Sequence, residues 1–390
     1  MRLDLEDLGL DQGADLLLRR ALRALPPGEA LHVTGTHPEL ALHLRAWARA
    51  MGHGWASADN AAGSLTPAPW FGKLPAEPAS HAAPDGIVDH PPRHWGLAAR
   101  GALVERGAPA FDFALVDRVE LWSDDAARLY ARAAAAQWDP ETAIDWHAPI
   151  THDDAIEDAV VQVMTYLIEN ETAALIVPAR FAGRIHPHFR EVMQLLAIQC
   201  ADEARHIEVF TRRALLRRTA PGTSTIGGQA SLKTLVDEPD FALSGFLLSV
   251  MGEGSFLILL DFLQRFGPDP VTRAVCRLAA QDEARHVAFG LAHLRRHAAD
   301  DPTLLPRLAL AMERRHAALA QTAGLNEAVF EALTILAAGG FTPTQIATGH
   351  ARVMRLQADM DHARRSSLVR LGFAEDRAAA LSGLHTRNFM

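Results

Sequence analysis

The pentapeptide Asp-Glu-Ala-Arg-His occurs twice, at residues 202–206 and 282–286. Residues three apart on a helix share a face, so Glu203 points with His206 and Glu283 with His286. A carboxylate oxygen beside an imidazole nitrogen is half of a metal clamp, and two halves facing one another complete it. Each phrase also has a glutamate about thirty residues upstream, Glu171 before Glu203 and Glu253 before Glu283. Their surroundings run in parallel, Asn170-Glu171-Thr172-Ala173-Ala174-Leu175 against Gly252-Glu253-Gly254-Ser255-Phe256-Leu257. Glu169 competes for the first upstream position, but the internal alignment favours Glu171. The candidate ligands are therefore Glu171, Glu203, His206, Glu253, Glu283 and His286.

Charge decides what such a set would hold. Four carboxylates in an apolar bundle repel and cannot all stay ionised alone, whereas two divalent cations cancel them. Hard carboxylates with one imidazole per ion suit iron or manganese, where an all-thiolate site would suit zinc. Asp202 and Asp282 stand one turn before the histidines. A metal-bound imidazole usually gives its other N–H to a carboxylate, here either on the same helix or on the opposite one. Arg205 and Arg285 are suited to holding those aspartates, the alternative being solvated helix charge. Surface Glu and His on amphipathic helices would be the plain reading of a single Glu-x-x-His. Two copies of the longer phrase, each with an upstream Glu in an apolar helix, speak against chance.

Four long helices must position these residues. The patterns predict helices over Asp153–Phe181, Pro187–Arg218, Phe241–Phe266 and Asp269–Ala299, with a longer loop, Thr219–Pro239, in the middle. That is a four-helix bundle plan. Pro302–Ala323, Glu327–Ala338, Pro343–Leu371 and a short last helix before the tail 385–390 extend it. Phe241–Leu263 is long enough for a membrane span, but Glu253 at its centre argues for a buried bundle helix. Gly245, Gly252 and Gly254 surround that glutamate. They leave room for a small molecule, permit a π-bulge, or allow close helix packing. His186 and His188 read as loop residues at a bundle end.

The rest of the chain differs in character. Helix (Asp15–Leu25), turn (Pro26-Pro27-Gly28-Glu29), strand (Ala30–Thr36) and helix (Pro38–Met51) suggest a small α+β module. Ser57 to about Phe113 is rich in Ala, Pro and Gly and reads as a linker, with weak alternation over Trp95–Phe113. Asp117–Trp138 is predicted helical. The fold class expected is mainly α: a module over 1–80, a linker and lead-in helix over 81–150, a bundle over 151–300 and a helical extension over 301–390.

Composition narrows the partners. The chain has 390 residues, net charge −9 and only two lysines, Lys73 and Lys233. No basic block is dense enough to track a phosphate backbone, so nucleic acid is not an expected partner. Cys200 and Cys276 fit buried thiols in a reducing compartment, with Cys200 one turn before Glu203. The start of the chain lacks the pattern of a signal peptide, and a cytoplasmic protein is expected.

The repeated Glu and Glu-x-x-His pattern resembles the ferritin-like di-iron carboxylate family over residues 150–300, and most closely the bacterial multicomponent monooxygenases. The resemblance implies two iron ions, or a Mn/Fe pair, held by the six candidate ligands, with Asp202 and Asp282 supporting the histidines. It implies an O2-activating oxidoreductase that hydroxylates, desaturates or N-oxygenates a small organic substrate. No Rossmann glycine pattern or cysteine cluster supplies electrons, so an external electron donor, or a substrate that is itself the reductant, is expected. Ribonucleotide reductase small subunits share the ligand set but store a radical on tyrosine. Here only Tyr130 and Tyr166 exist, and Phe210 and Gly290 follow the histidines by one turn. Iron storage or peroxide defence, as in ferritin itself, is the alternative. Those chains are usually little more than one bundle. A homodimer is an assembly to test.

The phrase from Arg19 to Trp55 resembles the sulfur-carrier family TusA. That family works through a cysteine in Cys-Pro, where Gln12-Gly13 stands here. With no cysteine before Cys200, persulfide chemistry is excluded. The resemblance implies a docking or dimerising role.

Overall fold

Short strands separated by two amphipathic helices begin the chain. The computed structural model describes residues 1–26, 28–68, 76–80, 84–105, 107–320 and 327–385. Pro27, parts of the expected linker and the tail after His385 lie outside them. Two compact units result, one of Met1–Ala79 with Gly101–Ala108, the other of Ser80–Arg100 with Pro109–Met390.

The first unit runs β1 (Arg2–Asp4), α1 (Ala14–Ala24), β2 (Leu31–Thr34), α2 (Leu40–Ala50), β3 (Gly54–Ala58) and β4 (Ala61–Thr66). Its sheet has the order β1-β2-β4-β3, with β1 parallel to β2 and the other pairs antiparallel. Leu18, Leu22 and Leu44 from the helices are buried with Leu31, Val33 and Leu65 from the sheet. Ala61–Thr66, read from sequence as the start of a linker, is a strand because Asn60 takes a positive φ of 58° and closes a hairpin with β3. β5 (Ala76–Pro78) pairs with β6 (Leu103–Glu105) in a separate ribbon.

The second unit opens with α3 (Arg118–Leu121) and α4 (Ala126–Ala135). The single helix expected over Asp117–Trp138 is broken at Trp122–Asp125. Ser123, Asp124 and Asp125 favour turns over helix interior, and the Trp122 indole donates to Asp124 Oδ1 at 2.9 Å. Four long segments follow. α5 (Asp154–Ala182) starts on the Asp153 side chain, which accepts from the Ile156 amide; α6 spans Arg190–Ala214. The expected central loop contains α7 (Ile226–Val236). Thr225 caps it, its two glycines occupy the first turn, and Leu232 and Leu235 are buried.

The third segment is not one regular helix. α8 (Phe241–Gly245) passes into a π-helix over Phe246–Gly252, and α9 (Glu253–Phe266) resumes the α geometry. α10 (Pro270–Asp300) is capped by Asp269. α5 packs along α6 and α9 along α10. Outside them lie α11 (Leu304–Leu319), α12 (Glu327–Ala338), α13 (Pro343–Leu371) and α14 (Glu375–Gly383), with α12 against α5 and α13 against α9. α5 and the 241–266 segment are long and apolar enough to cross a membrane, and most of each is buried in this fold.

One ion-pair cluster ties the helices at an end of the bundle. Arg213 on α6 is fully buried and donates to both Glu157 oxygens on α5 (2.7 and 2.9 Å), to Asp269 Oδ2 (2.7 Å) and to Thr272 Oγ1 (2.8 Å).

Candidate metal centre

Four helices each deliver part of one cluster: Glu171 from α5, Glu203 and His206 from α6, Glu253 from α9, and Glu283 and His286 from α10. All six are at least 95% buried. The donor atoms of Glu171, Glu203, His206 and Glu283 lie within 4.8 Å of one another, as do those of Glu203, Glu253, Glu283 and His286. Glu203 and Glu283 belong to both groups, so the arrangement is two adjoining sites that share two carboxylates. His206 Nδ1 is 3.2 Å from Glu203, 3.3 Å from Glu283 and 3.6 Å from Glu171. His286 Nδ1 is 3.1 Å from Glu203, 3.4 Å from Glu283 and 3.9 Å from Glu253.

The other nitrogen of each ring faces an aspartate on the opposite helix. His206 Nε2 is 3.1 Å from Asp282 Oδ2, and His286 Nε2 is 3.2 Å from Asp202 Oδ2. Of the two partners open from sequence, the crossed one is found. Arg205 donates to Asp202 (2.6 Å) and Asp282 (2.9 Å), while Arg285 pairs with Asp282 and reaches Asp202 at 3.4 Å. Both arginines thus hold both aspartates. An aimed imidazole presents Nδ1 to the cluster in a fixed orientation.

Electrostatics show the strain of so many charges together. Burial pushes the carboxyls of Glu171 and Glu253 well above the ordinary range, and the charge of Glu283 adds to both. Burial acts the same way on Glu203, but His286 and His206 outweigh it and hold its carboxyl low. The imidazoles, which burial alone would push down, are driven well above the ordinary histidine range: His206 by Glu171 and Asp282, His286 by Glu203 and Glu283.

Raised carboxyls and raised imidazoles are what uncompensated negative charge produces, and cations would balance it. Glu171 Oε1, both Glu203 oxygens, Glu253 Oε2, Glu283 Oε2 and the Nδ1 atoms of both histidines are buried without a hydrogen bond. Buried polar atoms normally have partners, and a convergent set of oxygen and imidazole donors is what two divalent metal ions would satisfy. The residues present fit such a pair.

Three contributors escaped the sequence reading. The Gln199 amide donates to Glu253 Oε1 at 3.0 Å; its position one turn before Glu203 was the available signal. Gln137 donates to Asp202 Oδ1 at 2.8 Å and accepts from Arg205 at 2.5 Å. The Trp138 indole donates to Asp282 Oδ2 at 2.8 Å and lies beneath the Arg205 guanidinium. Nothing in the spacing of Gln137 and Trp138 announces this. Glu169 lies away from the cluster, on an outer groove with Thr172, Ile176 and Lys233. Cys200 is half-buried with its sulfur 3.8 Å from the Leu175 carbonyl, and Cys276 is buried. His186 and His188, expected as plain loop residues, are buried. His188 Nε2 accepts from the Val88 amide at 3.0 Å.

A narrow, mostly apolar cavity adjoins the cluster. Glu171, Glu253 and Glu283 form part of its wall, with Leu235, Leu247, Leu248, Met251 and Phe256 supplying an apolar surface. Arg315 on α11 lines it too. Leu232 on α7 lines both this cavity and the outer groove that holds Glu169.

No family model matches the sequence, and no curated protein matches it. Solved structures are similar at low identity. An R2-like ligand-binding oxidase with an aerobically reconstituted metal cofactor shares 17% identity over 66% of this chain and 94% of that one, with a TM-score of 0.44. A second R2-like ligand-binding oxidase, a variant with an anaerobically reconstituted Mn/Fe cofactor, shares 18% over 66% and 94%, with a TM-score of 0.45. A Synechococcus protein with aldehyde deformylating oxidase activity shares 19% over 59% and 96%, with a TM-score of 0.43.

Proposed function

We propose that this protein is an O2-activating di-iron or Mn/Fe oxidoreductase that hydroxylates, desaturates or N-oxygenates a small organic substrate. The observation that carries the reading is the contact between a buried four-carboxylate, two-histidine cluster and an apolar cavity. Glu171, Glu203, His206, Glu253, Glu283 and His286 would hold two divalent ions, which when bound would supply the redox chemistry for activating O2. The chain's own share is to hold the ligands in register and to aim the imidazoles through Asp202 and Asp282. Leu247, Leu248, Met251 and Phe256 keep water from the reacting face. Gln199 restrains Glu253 and leaves Glu171 without an equivalent amide partner.

An external electron donor in the cytoplasm, with no nucleic acid or membrane partner, completes the proposal. The α+β module is proposed as a TusA-like scaffold for docking or dimerisation, without sulfur transfer.

Anaerobic loading with ferrous iron followed by exposure to O2 tests the reading. The expected result is uptake of two irons per chain, matching the two donor groups, and O2 consumption tied to that stoichiometry. Accumulation of many irons per chain would replace it with iron storage, and indifference to iron and manganese would end both.

A further inference from the structure

The cavity beside the cluster has a cation in its wall. Arg315 is 7% exposed, and its guanidinium donates to Thr234 Oγ1 at 2.7 Å and Ser231 Oγ at 2.6 Å, both on α7. Those hydroxyls satisfy hydrogen bonds but carry no charge. Of the other buried arginines, Arg205 is paired with Asp202 and Asp282 and Arg213 with Glu157 and Asp269, while Arg364 donates to the Ser382 and Ser255 hydroxyls and feels the charge of Asp361. Among the described residues no carboxylate pairs with Arg315. Burial pulls its pKa down to about 10, so it remains charged at neutral pH. A buried guanidinium without an anion carries a desolvation penalty that no opposite charge offsets. A tie between α11 and α7 would not require a charge, since a neutral donor could serve the same two hydroxyls.

We propose that Arg315 is the counter-ion for the carboxylate of an apolar organic acid. The acid's hydrocarbon or aryl body lies along Leu247, Leu248, Met251 and Phe256, within reach of the wall formed by Glu171, Glu253 and Glu283. With the carboxylates of Glu171, Glu253 and Glu283 committed to the metal pair, the cation of Arg315 favours a monoanion whose body suits the apolar part of the wall, which His385 also lines. It disfavours doubly charged phosphates, which would leave charge unpaired beside a single guanidinium. The assignment names the substrate class of the centre and so rests on the proposed function for the fate of the bound acid.

Calorimetric titration of the full-length protein with octanoate, decanoate and phenylbutyrate, each against its neutral primary amide, tests the pairing. Metal-loaded and metal-free samples are both used, with metal content measured in parallel. The acids are expected to bind at least about tenfold more tightly than the amides. Arg315→Gln, which keeps donors for Ser231 and Thr234, should remove that preference in both samples. Equal binding of acid and amide by the unaltered protein would overturn the proposal without reliance on any variant. So would acid binding that is unchanged in Arg315→Gln, or absent altogether. Arg315-dependent binding in a protein that takes up no iron or manganese supports this pairing and overturns the proposed function. Metal uptake without Arg315-dependent binding does the reverse.

Discussion

The two helix pairs of the bundle carry the same ligand phrase on different backbones. In the first, Glu171 sits inside one unbroken helix, α5. In the second, Glu253 follows seven residues of π-helix, Phe246–Gly252. The partner helices differ to match. One turn after His206 stands Phe210, fully buried; one turn after His286 stands Gly290. A Cβ on Gly290 would come within 2.5 Å of Ser249 Cβ in the π-helix. Gln199, which holds Glu253, has Ala279 as its counterpart in the second phrase. Ligand symmetry is thus kept while the packing around it diverges, and the widened helix forms part of the cavity wall. Duplication supplies the metal donors, and asymmetry supplies the space beside them.

The sharpest test of that symmetry is to remove a shared carboxylate. Glu203→Ala or Glu283→Ala should reduce bound metal to background, because each belongs to both donor groups. Glu171→Ala and Glu253→Ala should each weaken one group and leave part of the metal content, as read by elemental analysis.

Next in size is the clasp joining the two pairs. Arg213→Ala leaves Glu157 and Asp269 buried without their cation, at an expected cost of about 3–5 kcal/mol in denaturant unfolding. Burial would raise both carboxyls, but Arg213 outweighs it and holds them below their ordinary values. Their contribution is therefore complete above the usual carboxylate range and lost as pH falls through the depressed values. Stability measured against pH should fall on acidification, and less steeply in Arg213→Ala.

Crossed support of the histidines predicts a smaller loss. Asp202→Asn and Asp282→Asn should each reduce metal affinity by roughly 10–100-fold, as loss of an outer hydrogen-bonded carboxylate does elsewhere. Because the aspartates cross, Asp202→Asn should perturb the His286 side and Asp282→Asn the His206 side, which spectroscopy of a mixed-metal centre would separate.

Glycine substitutions probe the divergence itself. Gly290→Ala should destabilise by about 1–3 kcal/mol through its collision with Ser249. Gly245→Ala meets nothing within 4 Å and should stabilise by up to about 1 kcal/mol. Thermal melts that failed to differ in sign would show that the π-helix is not held in place by this packing.

The long helices were readable because their apolar stretches end at strong caps such as Asp153, Asp240 and Asp269, and because the ligand phrase repeats. Internal alignment picks out Glu171 and Glu253, and the two fall in separate donor groups joined through Glu203 and Glu283. What escaped notice depends on contacts distant in sequence. α7 begins with two glycines that suggest a loop, and only the burial of Leu232 and Leu235 makes it a helix. β4 is a strand because β2 and β3 pair with it. Gln137 and Trp138 reach the aspartates from a lead-in segment more than sixty residues away in the chain, a distance no periodicity encodes. The π-helix was one of three open readings of its glycines. Ser249 against Gly290 distinguishes it only once both helices are in place.

Each imidazole takes its aim from the other copy of the phrase. A single helix pair cut from this chain would own donors but no means of orienting them. Two identical pairs set face to face would regain it, each lending its aspartate to the other. The smallest self-sufficient version of the centre is accordingly a symmetric dimer of one pair.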